Sequence, residues 1–255
     1  MIALLSPAKT LDETPTDFTT ATQPRLLDQS EKLVKTLRKK SAGDLQELMG
    51  ISEKLARLNH QRYQVFSTPF TPENAKPALL TFKGDVYIDL AAETFDEADL
   101  AFAQGHLRLL SGLYGVLRPL DLMQPYRLEM GTRLRNGRKQ NLYEFWDGRI
   151  TRLLNEDLAA SGEDTILNLA SQEYFSSVRP KQLKGRLLNI HFKEARDGKL
   201  KVISFNAKKA RGRMAHLIIK ERINEPTALR ELAVNDYVFR PELSTENDWV
   251  WVKEA

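Results

Sequence analysis

The chain has 255 residues, of which 42% are hydrophobic, so it is long enough for one large domain or two small ones with a sizeable core. It contains no cysteine, which excludes disulfides, cysteine-ligated metal centres and thiol peroxidase chemistry. The formal net charge of +4 is mild, so any argument for nucleic-acid binding depends on clustering of the basic residues.

The first predicted elements are a buried strand and an amphipathic helix. Residues 1–6 form a short apolar run typical of a buried strand, and a loop follows it. Residues 13–24 hold threonine, aspartate and proline and are expected to be irregular, whereas leucines recur at helical spacing over about 25–40. We interpret residues 24–67 as an all-helical subdomain inserted after the first strand.

A helix-hairpin-helix is predicted within this insertion, at about 44–60. Leu45 lies on the apolar face of the first helix, Gly50 occupies the turn, and Ala56 is the small residue where the two helices would cross. Ser52 is a plausible N-cap of the second helix. The alternative is a plain helical hairpin, because many helices end on glycine and Ser52 replaces the usual second glycine of the motif.

The turn of such a hairpin has the features of a phosphate site. Glycine allows a positive φ and a close approach of the backbone, and the start of the next helix presents unpaired amides and the positive end of its dipole. The residues expected to contact a phosphate here are Gly50, Ile51, Ser52, Lys54 and Arg57. Further basic residues flank the hairpin: Lys32, Lys35, Arg38, Lys39, Lys40 and Arg62.

The rest of the chain alternates strands and helices without a strict βαβ rhythm. The predicted elements are a helix from a capping box at Thr94 to about residue 103, a strand at 107–110, a glycine-containing loop at 111–121, a helix at 142–158, a strand at 165–169, a hairpin of strands 186–194 and 199–205, a helix at 207–223, and strands at 236–239 and 249–252. This order predicts a single α+β domain over 1–255, with a mixed β-sheet core, surrounding helices and the helical insertion.

Two further basic runs lie outside the insertion and contain no acidic residue. The first is Arg133, Arg135, Arg138 and Lys139, and the second is Lys208, Lys209, Arg211 and Arg213. They indicate either a phosphate-lined groove or solvated faces. Candidate DNA contacts also include Lys9, Arg118 and Arg127. Three tyrosines, Tyr114, Tyr126 and Tyr174, would either stack on unpaired bases or belong to the core.

Evidence for catalysis is weaker. Lys9 would pair with a phosphate or, if desolvated, act as an amine nucleophile, and an ordinary exposed lysine is the alternative. Arg127 and Glu129, two residues apart on an expected strand, would form a core ion pair or part of a site. The candidate catalytic residues are Lys9, Glu129, Glu173 and Lys208, with Lys209 as a further amine. The four histidines are widely spaced and match no metal motif, so no metal and no cofactor is expected.

Five motifs in order give the chain a specific resemblance to a known family. They are residues 6–11 (SPAKTL), 110–121 (LSGLYGVLRPLD), 124–132 (QPYRLEMGT), 168–175 (NLASQEYF) and 207–214 (AKKARGRM). The chain resembles the YaaA family of bacterial peroxide-stress-resistance proteins over nearly its whole length. The resemblance implies a role in surviving hydrogen peroxide, a cytoplasmic location and a DNA-binding fold with a helix-hairpin-helix and a basic cleft, but no established reaction.

The sequence therefore predicts a cytoplasmic protein that binds duplex DNA with little sequence preference and protects it from oxidative damage. Its amino-terminal segment is too short for a secretory signal, and no apolar run approaches the ~20 residues that span a bilayer. The alternatives are a nucleic-acid-acting enzyme, such as a glycosylase or lyase, and a protein that lowers free iron. Double-stranded DNA is the expected partner, with no membrane partner.

Overall fold

The computed structural model describes residues 1–16, 18 and 20–254, and a mixed β-sheet lies at its centre. The strands are β1 (Ile2–Leu5), β2 (Thr10–Leu11), β3 (Lys76–Pro77), β4 (Phe82–Lys83), β5 (Leu107–Ser111), β6 (Gly115–Leu117), β7 (Leu122–Met123), β8 (Thr165–Asn168), β9 (Arg186–Arg196), β10 (Lys199–Lys201), β11 (Val238–Phe239) and β12 (Asp248–Lys253). The helices are α1 (Leu27–Leu37), α2 (Ala42–Met49), α3 (Glu53–Val65), α4 (Ala78–Thr81), α5 (Asp85–Leu90), α6 (Glu97–His106), α7 (Leu142–Trp146), α8 (Arg149–Ser161), α9 (Gln172–Phe175) and α10 (Ser204–Lys220).

The main sheet has eight strands, and their order confirms the predicted α+β class with a mixed sheet. Seven strands follow the order β11-β12-β9-β8-β1-β5-β6, and β10 pairs with β9. The five strands β12, β9, β8, β1 and β5 run parallel, whereas β11, β6 and β10 are antiparallel to their neighbours. Every residue of β1 is buried, as expected for a central parallel strand that is covered on both faces.

The two central strands, β1 and β8, are parallel, but the connections that follow them lead to opposite sides of the sheet. From β1 the chain continues to β5 on one side, and from β8 it continues to β9 on the other side. The loops after β1 and β8 therefore diverge at the carboxyl edge of the sheet and leave a crevice between them. Open parallel sheets bind their ligands in this kind of crevice.

The segment 24–67, for which we predicted a helical insertion, contains three helices. The prediction of an amphipathic helix over about 25–40 is confirmed by α1, and α2 and α3 pack against each other after it. The strands predicted at 1–6, 107–110 and 165–169 are also confirmed. Of the residues 13–24 that were expected to be irregular, 17 and 19 lie outside the described residues.

Two predicted elements are interrupted in the structure. The single helix predicted at 142–158 is two helices, because Asp147 adopts a φ of 45° and the buried Trp146 donates a hydrogen bond to the Gly112 carbonyl (2.9 Å). The loop predicted at 111–121 contains β6, since Gly115 (φ 72°) turns the chain back to pair antiparallel with β5.

Three smaller predictions, two about element ends and one about a strand, are also wrong. The second strand predicted at 199–205 ends at Lys201, and α10 starts at Ser204 because Asn206 in its first turn donates to Glu194 on β9 (2.6 Å). The helix expected to begin at Thr94 begins at Glu97, where Asp96 and Asp99 form the capping box. Residues 124–129 are not a strand.

In the described part of the chain, no helix is both long and apolar enough to cross a membrane.

Candidate nucleic-acid interface and pocket

The turn between α2 and α3 has the local geometry that its sequence indicates. Gly50 caps α2 in the left-handed conformation (φ 60°, ψ 42°), and the Ser52 hydroxyl accepts a hydrogen bond from the Leu55 amide (3.4 Å) as the N-cap of α3. Leu45 and Ala56 are fully buried between the helices. We call α2, this turn and α3 the helical hairpin.

Three backbone amides at the start of α3 are available to a ligand. The Gly50 and Ile51 amides donate to the Gln46 carbonyl, but within the described residues the amides of Ser52, Glu53 and Lys54 have no acceptor. Such amides at a helix start, together with the helix dipole, favour an anion. The Glu53 carboxylate is paired with Arg57 (2.6 Å), which reduces its repulsion of an anion, and Lys54 is exposed.

A second group of basic residues is held beside α1. The Asn136 side chain donates to the Lys32 carbonyl (3.1 Å) and to the Thr36 hydroxyl (2.7 Å), so the loop 133–139 lies against this helix. We define the basic surface as the exposed residues of this region that form no ion pair within the described part of the chain: Lys35, Lys39, Arg133, Arg135, Arg138 and Lys139.

Three other predicted basic residues are occupied by contacts within the protein. Arg38 donates to the Tyr63 carbonyl (2.7 Å) and to the Phe66 carbonyl, so it caps the end of α3. Arg62 pairs with Glu13, and Arg118 pairs with the buried Asp121 (2.8 Å). These arginines hold segments of the fold together.

A cavity of about 400 Å³ lies at the carboxyl edge of the parallel strands, in the crevice between the loops after β1 and β8. The two loops are joined by Ser6, whose hydroxyl accepts from the Ser171 amide (2.9 Å) and donates to the Ser171 hydroxyl (3.2 Å). The charged residues of its wall are Lys9, Lys83, Asp85, Glu173, Lys208 and Arg211. We call this cavity the pocket.

The pocket contains or adjoins all four candidate catalytic residues. Lys9, Glu173 and Lys208 line it, and Glu129 pairs with Lys9 (2.7 Å). Glu129 also pairs with Arg127 (3.1 Å), as the spacing suggested, although these residues are not on a strand. These residues were predicted from separate parts of the sequence, and in the structure they lie in or next to one pocket.

Contacts along one segment connect the pocket with the hairpin and the basic surface. The Tyr63 hydroxyl on α3 donates to the Arg127 carbonyl, two residues before Glu129. Glu173 accepts a hydrogen bond from the Gly131 amide (2.9 Å), two residues before the loop 133–139. The segment 127–139 therefore passes from α3, along the pocket, to the basic surface.

Acidic residues of α5 lie against the basic run of α10. Lys208 is 3.7 Å from Asp85, and Lys209 is 3.9 Å from Asp89. The sequence run contains no acid, so this partial neutralisation depends on the packing of α5. Arg213 is half-buried and has no ion pair within the described residues.

Arg211 differs from the other arginines that have a buried Nε atom without a hydrogen-bond partner. Four arginines have a buried Nε atom without a hydrogen-bond partner in the described part of the chain: Arg25, Arg62, Arg127 and Arg211. The first three each form an ion pair, but Arg211 forms none. Burial lowers the pKa of Arg211 because the charged form is removed from water.

The three tyrosines considered for base stacking are all buried. Tyr114 and Tyr126 pack edge to face in the core, with ring centroids 5.3 Å apart, so they are not surface platforms. Tyr174 lines the pocket together with Tyr87, whose hydroxyl donates to the Ser6 carbonyl (2.9 Å). Burial raises the pKa of both phenols, so both hydroxyls remain protonated at neutral pH.

The described residues contain no cluster of three or more histidine, aspartate and glutamate side chains arranged to hold a metal ion. His60, His106 and His216 each contact a backbone carbonyl, and His191 pairs with Asp248 (2.9 Å).

A family model described as peroxide stress protein YaaA matches residues 1–243. The chain belongs to this family. The match spans the central strands, the helical hairpin, the segment 127–139 and the pocket, and it confirms the resemblance carried by the five sequence motifs. Membership assigns the chain to the response to peroxide stress.

Sequence reasoning missed two features of this region. The local sequence does not indicate that Arg211 lacks an ion-pair partner, because it lies in a run of basic residues with Lys208, Lys209 and Arg213. The hydrogen bond between Ser6 and Ser171 joins residues that are 165 positions apart in the sequence. Each of them lies in a loop directly after an apolar run. The rule that ligands bind at the carboxyl ends of parallel strands would have connected those loops once the strands were known to be neighbours.

Proposed function

We propose that the protein binds duplex DNA with little sequence preference, through the helical hairpin and the basic surface, and thereby protects DNA under peroxide stress. The observation that carries the proposal is the start of α3. There, three amides without an internal acceptor lie beside the exposed Lys54 and next to a glycine in the left-handed conformation. Amides and lysines of this kind contact phosphates, which carry no direct sequence information.

The dimensions of the region suit one duplex. The 13 residues of α3 extend about 20 Å, which corresponds to roughly six base pairs of duplex. The amides lie at the start of this helix, and Tyr63 near its end contacts the segment that leads to the basic surface. A single DNA molecule lying along α3 would therefore reach both groups of basic residues.

The surroundings of Lys9 favour binding over lyase chemistry. A lyase uses a neutral lysine amine to form a Schiff base, and such amines are activated by a desolvated site or by a cationic neighbour. The Lys9 side chain is 62% exposed and forms an ion pair with Glu129 at 2.7 Å. An exposed ammonium paired with a carboxylate lacks both kinds of activation.

A pair of charge reversals tests the proposal. Lys54→Glu should weaken binding of a 20-base-pair duplex about 10-fold, because it removes a charge-assisted phosphate contact and adds repulsion. The matched control is Lys184→Glu, an exposed lysine just before β9 at the opposite, amino edge of the parallel strands. Fluorescence anisotropy at fixed salt measures both affinities.

Both variants should fold like the unaltered protein, since surface substitutions usually change the free energy of unfolding by less than about 0.5 kcal/mol. Equal affinities for Lys54→Glu and Lys184→Glu would contradict a role of the hairpin in binding DNA.

A further inference from the structure

Arg211 is a half-buried cation with a buried Nε atom, and nothing in the described chain balances its charge. Its Nε has no hydrogen-bond partner and its guanidinium has no carboxylate partner, although it lies on the wall of the pocket. A buried charge without a partner is costly, whereas removing it usually costs nothing or stabilises the fold. An arginine at such a position is suited to binding an anion that comes from outside the chain.

Other groups of the pocket add to this charge. Lys208 lies one turn before Arg211 on α10 and also lines the cavity, and Lys9 enters from the loop after β1. Each lysine of the wall lies close to a carboxylate: Lys9 is 2.7 Å from Glu129, Lys83 is 3.2 Å from Asp12, and Lys208 is 3.7 Å from Asp85. Within the described residues, Arg211 is therefore the cation of the wall that has no carboxylate partner.

We propose that the pocket binds the phosphate group of a small hydroxylated phosphate monoester, such as a nucleotide or a sugar phosphate. Arg211 would bind two phosphate oxygens side by side, as the planar guanidinium favours, and Lys208 and Lys9 would add charge. A phosphate monoester suits these three residues better than a carboxylate does, because it carries up to two negative charges and can therefore pair with more than one cation.

The remaining wall of the pocket fits the organic part of such a ligand. Glu173 is an acceptor for hydroxyl groups, and the ring of Tyr174 provides an apolar surface beside it. The volume of about 400 Å³ falls within the usual range for small-molecule sites. The ligand would be either free in solution or the 5′-phosphate end of a DNA strand, which presents the same chemistry.

Calorimetry with defined probes tests the assignment. We expect deoxyadenosine 5′-monophosphate and deoxyribose 5-phosphate to bind, and deoxyadenosine, which has no phosphate, to bind at least 10-fold more weakly. Arg211→Met, which keeps the length of the side chain, should weaken binding of the phosphate probes about 10- to 100-fold. Lys208→Met should weaken it less, because that side chain is half-exposed and already close to Asp85. The matched control is Arg152→Met, an exposed arginine on α8.

A second pair of probes distinguishes a phosphate at the end of a DNA strand from a phosphate on a free small molecule. A duplex with 5′-phosphate ends is compared with the same duplex carrying 5′-hydroxyl ends, in the unaltered protein and in Arg211→Met. A preference for the phosphorylated ends that Arg211→Met abolishes assigns the pocket to DNA ends, and binding of the free esters alone assigns it to a soluble ligand. Both results support a phosphate site, and neither depends on the hairpin, so failure of DNA binding at Lys54 leaves this test intact.

The results that would overturn the proposal are equally definite. Absence of binding by every phosphate probe, equal binding of deoxyadenosine and its monophosphate, or unchanged affinity in Arg211→Met would each refute it. The melting temperature gives an independent readout. Arg211→Met should leave it unchanged or raised, and a fall of more than about 4 °C would show that Arg211 stabilises the unliganded fold instead.

Discussion

Gly212 lies where α10 crosses α5, and the close approach of these helices depends on its missing side chain. A Cβ atom at this position would overlap the backbone carbonyl of Val86, which cannot move aside as a flexible side chain would. We expect Gly212→Ala to lower the free energy of unfolding by about 1–3 kcal/mol through overpacking. Thermal melting measures the change, which for a chain of this size corresponds to several degrees.

The control for this prediction is Gly105→Ala on α6. No atom lies within 4 Å of a Cβ added to Gly105, so the same substitution should be neutral or should stabilise the protein by up to about 1 kcal/mol. A Gly212→Ala variant as stable as the Gly105→Ala variant would show that the crossing of α10 and α5 is looser than the structure indicates.

At the scale of single elements, the effect of a substitution in the turn of the helical hairpin on stability can be distinguished from its effect on DNA binding. Gly50 and Gly162 both cap helices with positive φ, 60° and 74°, and both have open space where a side chain would go. Valine should therefore destabilise both positions similarly, by about 1–2 kcal/mol or more, because β-branched residues resist this conformation. Only Gly50→Val should also weaken binding of duplex DNA, since its side chain would occupy the space through which a phosphate approaches.

Melting temperature and duplex affinity, measured on both variants, check this expectation. If Gly50→Val and Gly162→Val have the same affinity for DNA at a temperature where both are folded, the turn is structural and the amides of α3 are not the phosphate site.

The elements that could be predicted from the sequence are those with a local pattern. The buried strands β1 and β8 follow apolar runs, α1 follows its leucine spacing, and the conformations of Gly50 and Ser52 follow from the turn itself. The break at Asp147 was missed because it depends on how Trp146 is held in the core by a distant carbonyl.

The pocket could not be predicted in the same way. Its cations come from the loop after β1, from β4 and from α10, and Asp85 on α5 partly neutralises one of them, Lys208. Which cations of the pocket are paired is thus decided by packing between segments more than 100 residues apart. The five motifs nevertheless mark most of the segments that surround the pocket, including 6–11, 168–175 and 207–214.

At the scale of the whole molecule, the net charge is small but the basic residues are unevenly paired with acidic ones. The total is +4, yet the basic surface has no acidic partner within the described residues, whereas the basic run of α10 faces acids of α5. Binding to a polyanion depends on such local concentration more than on the total. The segment 127–139 links the hairpin, the basic surface and the rim of the pocket, which is consistent with our proposal that the hairpin and the basic surface contact one DNA molecule.

The most direct test of duplex binding is its dependence on salt. If about five to eight lysines and arginines contact phosphates, the logarithm of the association constant should fall linearly with the logarithm of salt concentration, with a slope of roughly −4 to −7. Duplexes of unrelated sequence should give the same slope and similar affinities. A flat response to salt, or no binding at about 50 mM salt, would contradict the proposal that this family member binds DNA through its phosphates.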